Sequence, residues 1–196
     1  RTEVDAVTQA EGKLGNHFDA IRRSISEAIS ETGMEKFIDI EEDPHWLTIN
    51  INSGLIFAEG SASVLAASRP IISRIAVAIS NINNYIRIRG YTDNTFIPNG
   101  IFRNSWDLSA NRAVSVLEEL EKAGIIPDRM AVEAFGQYSP KYSNATAAGR
   151  AMNRKVVIAI SRYAMEAPKT INVPEDGLIK SKGDNIINGL DVVLID

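Results

Sequence analysis

Apolar positions recur along this chain with two different periods. In "KLGNHFDAIRRSISEAISETG", Leu14, Phe18, Ile21, Ile25 and Ile29 return at steps of four and three, the single stripe of an amphipathic helix that Gly33 stops. In "HWLTININ" the period becomes two: Leu47, Ile49 and Ile51 share one side, Trp46, Thr48 and Asn50 the other, as in a half-buried strand. "SGLIFAEGSASV" reads as a glycine-punctuated loop. Helical spacing returns with Ile72, Ile75, Ile79 and Ile82 and predicts a helix from Pro70 to Asn81, since proline is tolerated in a first turn. "YIRIRGYTD" is a short strand. Ala113, Val116, Leu117 and Leu120 predict a third helix from Trp106 to Ala123, closed by Gly124. "RMAVEAFG" and "RKVVIAIS" are two further strands, and residues 166–196, with the apolar run "GLDVVLID", read as an extension that ends in an edge strand or a docking tail.

The order helix, strand, helix, strand, helix, strand, loop, strand implies an α+β fold: a mixed sheet with helices on one face, preceded by the amphipathic helix. Three parts follow: a linker and helix over 1–44, a core domain over 45–165 and an extension over 166–196. A chain of 196 residues with 44% apolar content is long enough to bury one real core.

Charge and residue types narrow the function classes. A net charge of −4 and a pI near 5.3 argue against a nucleic-acid partner, which selects for clustered basic surface. The chain has no cysteine, which removes thiol catalysis, thiolate metal sites and disulfides together. Its two histidines, His17 and His45, leave almost no material for a serine triad or a histidine metal centre. Glu59 and Asp93 form a pair of acids of the kind glycan hydrolysis uses, but such pairs are common in any sequence. "GQYSP" and "GRAMNR" lack the strand–turn–helix setting of a phosphate cradle. The expectation is a protein that is not an enzyme, with no catalytic residues, no metal and no cofactor. No apolar run approaches the ~20 residues of a membrane helix. The chain opens at an arginine, which reads as a mature or truncated product.

One pair stands out in "RGYTDNTFIPNGIFRNSWDLSANRA". Asp93 follows a strand's last buried positions, and Arg112 lies on the helix that begins after the loop returns. An acid and an arginine so placed make either an internal salt bridge between strand and helix or a clamp for a zwitterion. In the clamp the carboxylate accepts from an ammonium and the guanidinium grips a carboxylate through two parallel bonds. Spacing leaves both readings open.

The segments "GLIFAEGSASV", "IRIRGYTDNT", "WDLSANRAVSVLEEL" and "NATAAGRAMNRKVVIAI" occur in the order seen in OmpA-like peptidoglycan-binding domains, a resemblance covering His45 to Ser161. The first-loop motif, the tryptophan ahead of the helix and the long insert from Asp93 to Trp106 resemble the wall-anchoring B subunit of flagellar motor stators. Both the MotB and the PomB type fit, with the sodium-type PomB slightly nearer. Tyr91 stands where the family often has histidine, and the stator pattern "S-N-W-E-L-S" appears as "N-S-W-D-L-S", with asparagine and serine exchanged at Asn104 and Ser105.

The resemblance implies a pocket for the stem peptide of peptidoglycan, with Asp93 and Arg112 on the ammonium and carboxylate of diaminopimelate. It also implies Thr92, Asn94 and Thr95 along the same loop, and backbone N–H groups offered from Phe57 to Ala62. Arg154 matches a family arginine with two readings, ligand contact or structural salt bridge, while Trp106 and Leu108 read as core packing. The implied setting is the periplasmic domain of a single-pass inner-membrane protein. Its implied partners are peptidoglycan, a MotA- or PomA-type A subunit reached through a membrane segment, a second copy in a homodimer, and flagellar ring proteins of the periplasm. A different OmpA-like wall tether, a lipoprotein or the tail of an outer-membrane protein, is the alternative.

Overall fold

The computed structural model describes residues 18–164. Leu14, His17 and the extension from 166 lie outside the described residues. Helix α1 covers 18–30 and buries Phe18, Ile21, Ile25 and Ile29, the four remaining members of its stripe. Gly33 takes φ +69°, the left-handed conformation in which a helix end favours glycine.

A 3-10 turn (Glu35–Phe37) leads into strand β1 (Ile38–Glu42), followed by β2 (Trp46–Asn52) and a one-turn helix α2 (Ser53–Ile56). Then come α3 (Arg69–Ile79), β3 (Asn84–Tyr91), α4 (Ser105–Lys122), β4 (Met130–Gly136), α5 (Ala147–Asn153) and β5 (Lys155–Ala164). The five strands form one mixed sheet in the order β1-β2-β5-β3-β4, with β3 and β4 parallel and the other pairs antiparallel. Leu47, Ile49 and Ile51 of β2 oppose Ile160, Ile158 and Val156 of β5, so the alternation in "HWLTININ" does select the core face. Buried residues of α1, α3 and α4 join these in one cluster, which places the helices on that face.

The sheet differs from expectation in beginning at Ile38, ahead of the expected start at His45. Strand β1 has only two apolar residues, Ile38 and Ile40, among acids, which suits an edge strand whose charges discourage further pairing. The stretch read as a loop after β2 contains α2, whose N-cap Asn52 accepts from Gly54 N–H. Helix α5 is also absent from the sequence pattern: its seven residues carry no apolar stripe and are started by Thr146, which accepts from Gly149 N–H.

Candidate functional site

The site forms where β3 ends. Thr92 N–H donates to Gly136 C=O at 2.8 Å and ties the strand end to β4, leaving the next residue to turn inward. Asp93, 3% exposed, accepts at Oδ1 from Thr95 N–H (2.8 Å) and Thr95 Oγ1 (2.6 Å), and at Oδ2 from Arg154 Nη1. Burial pushes the Asp93 carboxyl up, but the two Thr95 donors and Arg154 together outweigh it and hold the group below the usual carboxylate range. The group is therefore an anion at neutral pH, unsuited to act as a general acid.

Arg112 arrives from the middle of α4 and is also buried. Its Nε donates to Ser61 C=O at 2.8 Å, and its guanidinium lies over the Phe57 ring, 5.1 Å from the centroid. Burial and the neighbouring Arg154 push its pKa down and Asp93 opposes them; an arginine stays charged under all these influences. Among the described residues Arg112 forms no ion pair with Asp93, whose partner is Arg154. The expected salt bridge from strand to helix is not made; Asp93 pairs instead with Arg154 at the junction of α5 and β5, and the two terminal nitrogens of Arg112 carry no hydrogen bond to a described residue.

Asp93, Arg112 and Arg154 share a cavity of about 560 Å³, walled on its apolar side by Phe57, Phe96 and Leu108, with Thr92 and Thr95 at its rim. Of the seven residues expected to bind ligand, six line this cavity. Asn94 does not; it is exposed on the turn. Backbone donation from Phe57 to Ala62 is only partly open. Phe57 N–H is bonded to Ser53 C=O and Ser61 N–H to Ala58 C=O, and Ser61 serves the site through its carbonyl instead.

Leu108 is buried, as expected of a core residue, but also lines the cavity. Trp106 is not core: it is 45% exposed and stacks on Tyr138. Asn104 caps α4 by accepting from Asp107 N–H at 2.8 Å, and Ser105 is buried against Gly136, so the exchanged pair serves the helix start rather than the cavity. Ser53, Ile97 and Asn99, which no motif in the sequence marks, line the cavity too. The Ser53 hydroxyl is buried without a partner among the described residues.

Loss of the Arg154 contact has a readable consequence. Because the Asp93 pKa is depressed in the fold, its contribution to stability is present above the unfolded value of about 3.9 and is lost as pH falls through the lower folded value. Arg154→Gln removes one of the lowering partners, so acid unfolding should begin at higher pH than in the unaltered protein. The Arg154 side chain is 44% exposed, so the screened cost at neutral pH is about 1 kcal/mol, or about 2–4 °C in melting temperature. Thermal melts between about pH 3 and pH 7 check this; an unchanged acid limb would show that Arg154 does not hold the carboxylate.

A strand-end carboxylate held ionised, a buried guanidinium with both terminal nitrogens uncommitted and an apolar wall thus meet in one cavity that has room for a small charged group. Residues 56–154 match the OmpA family, and the chain belongs to it. It is 30% identical over 149 residues to Motility protein B of Bacillus subtilis, covering 74% of this chain and 57% of that one. It is 35% identical over 108 residues to the peptidoglycan-binding protein ArfA of Mycobacterium bovis, covering 55% of this chain and 32% of that protein. Among solved structures, the periplasmic domain of Helicobacter pylori MotB superposes with a TM-score of 0.59 at 27% identity, covering 63% of this chain and 78% of that one. The domain is OmpA-like and of the MotB type. The chain thus spans just under three-fifths of the Bacillus protein and about a third of the mycobacterial one.

Proposed function

We propose that this chain is the periplasmic part of a flagellar motor stator subunit and that it anchors an ion-driven stator to peptidoglycan by holding the diaminopimelate of the stem peptide. The observation that carries the reading is the unfilled fork of Arg112 beside the buried anion of Asp93 in a single cavity. The fork offers two parallel donors to a carboxylate. Asp93 has used three of roughly four acceptor positions and keeps one for an ammonium. Phe57, Thr92 and Thr95 shape the walls, Arg154 holds Asp93, and Asn94 keeps the turn.

The reading assigns 45–165 to wall binding, 1–44 to a tether with its docked helix, and 166–196 to an extension. It places the domain in the periplasm, joined through a membrane segment to a MotA- or PomA-type subunit, paired with a second copy and facing the flagellar rings. The insert "TFIPNGIFRNSWDLS" favours the sodium-type subunit. The locked, ionised Asp93 supports a tether rather than an enzyme. Similarity to a peptidoglycan-binding protein that is not a motility protein keeps a second reading, another OmpA-like wall tether.

Co-sedimentation with purified sacculi tests wall binding. The domain should pellet with them, be released by a soluble diaminopimelate-containing stem peptide, and leave no soluble fragments behind. Release of muropeptides would mark an enzyme, and indifference to the stem peptide would remove the proposed ligand. Restoring swimming in a strain that lacks its stator B subunit separates a motor anchor from a general tether.

A further inference from the structure

We propose that Asn99 and Gly100 form a self-modification site, at which the chain converts its own asparagine amide into a carboxylate in the wall of the cavity. The reaction needs water and nothing else. Both residues are exposed in the insert between β3 and α4, and Asn99 lines the cavity that holds Asp93 and Arg112.

The Asn99 side chain is folded forward along its own main chain. Its Oδ1 accepts from Ile101 N–H and from Phe102 N–H, both at 2.8 Å, while Asn99 N–H donates to Phe102 C=O at 3.0 Å. An oxygen held over the amides of the two residues beyond Gly100 keeps Cγ, the side-chain carbonyl carbon, beside the Gly100 nitrogen, so the reacting atoms start near one another. The two donors also polarise the carbonyl, and their distance suits an oxygen that takes up negative charge. Among the described residues neither Asn99 Nδ2 nor Gly100 N–H has a hydrogen-bond partner, which leaves both the departing group and the attacking nitrogen uncommitted.

The fold itself does not require glycine at 100. Its φ lies outside the left-handed region, and a Cβ there would meet nothing within 4 Å. Gly136 takes a positive φ and Gly90 lies directly under α4, so each of those has a structural reason that Gly100 lacks. What the missing Cβ provides at 100 is access to the nitrogen.

In the reaction the Gly100 nitrogen loses its proton to solvent base and bonds to Cγ, the bond from Cγ to Nδ2 breaks, and Nδ2 leaves as ammonia with a proton from water. The product is a cyclic imide. Water then opens it at one carbonyl to aspartate, or at the other to isoaspartate, in which the main chain runs through Cβ and Cγ. Either product is an anion in the cavity that contains the two uncommitted nitrogens of Arg112. It offers the guanidinium an internal partner and repels an incoming carboxylate, so conversion weakens the site. This consequence rests on the ligand reading above; the chemistry does not.

The test incubates the folded chain in mildly alkaline buffer beside the synthetic peptide Gly90–Arg103, then reads the tryptic peptide with the same bounds by mass spectrometry with fragmentation. Peptide mapping is required because Asn188 and Gly189 form a second pair of the same kind. The folded chain should gain the mass of an amide-to-acid exchange at Asn99 at least as fast as the free peptide, and Gly100→Ala should lose most of that conversion. Slower conversion in the fold than in the peptide would overturn the site, as would an unchanged rate in Gly100→Ala. Asn99→Asp should weaken pelleting with sacculi at least about threefold, the size of a screened charge effect. Undiminished pelleting of Asn99→Asp would overturn the effect on the cavity. Pelleting of the freshly prepared protein reports on the ligand reading and the mass change on this one, so the two fail separately.

Discussion

Arg112→Ala should abolish pelleting with sacculi. Among the described residues, the substitution removes the one cavity-lining guanidinium with both terminal nitrogens uncommitted, and hydrogen bonds between charged partners contribute about 1.5–3 kcal/mol each. Losing a two-bond grip of this kind lowers affinity by at least about tenfold, and by about a hundredfold or more if both bonds count fully. Asp93→Asn should act similarly on the ammonium side, since the amide no longer offers a charge and no longer attracts Arg154. Arg112 also donates to Ser61 and stacks on Phe57, so part of its loss is structural. Arg112→Lys separates the two effects: it keeps the charge but presents no planar fork. Pelleting lost in both Arg112 variants, with the lysine variant melting within a few degrees of the unaltered protein, identifies the fork as the binding element. Full pelleting of Arg112→Ala would exclude the clamp.

The elements that were legible are those whose own residues carry the period. The stripe of α1, the alternation of β2 and the spacing of α4 each survive in the fold because each lies against the same core. What escaped depends on contacts between segments rather than on the period within any one of them. Strand β1 is recognisable only by its register with β2, where Ile38 and Ile40 meet Ile51 and Ile49. Arg154 reaches Asp93 across 61 positions, and Ser61 turns its carbonyl to Arg112 across 51. No local pattern encodes either. Trp106 misled for a geometric reason: it lies seven residues before Ala113, near the buried side of α4, but Ser105 and Leu108 take the buried positions of the first turn and Trp106 stacks on Tyr138 instead.

Gly90→Ala should unfold the domain well below its normal melting temperature, and it tests how the site is built. Gly90 lies on the core face of β3 between Val156 and Ala134, and α4 crosses directly above it. A Cβ at this position would stand 2.1 Å from Ser109 C=O oxygen and 2.8 Å from its carbon, both main-chain atoms that cannot rotate away. The glycine is required by close approach, not by an unusual dihedral angle. To admit the methyl group α4 must lift by about 1 Å, which loosens Ala113, Val116 and Leu120 in the core. Overpacking of this severity costs about 3 kcal/mol or more, and so at least about 6–12 °C in melting temperature. The binding consequence comes from the same displacement. Ser109 precedes Arg112 by less than one helical turn, whereas Asp93 hangs from the far end of β3, so lifting α4 shifts one half of the clamp against the other. Two charged groups that must meet one ligand tolerate only about 0.5 Å of error, so sacculus affinity measured in the cold, where the variant remains folded, should fall at least tenfold. Gly124→Ala is the control, because its Cβ would meet open space and its φ of +100° costs only local strain. A Gly90→Ala protein that melts like the Gly124→Ala protein and pellets like the unaltered one would show that the distance between α4 and β3 does not set the site.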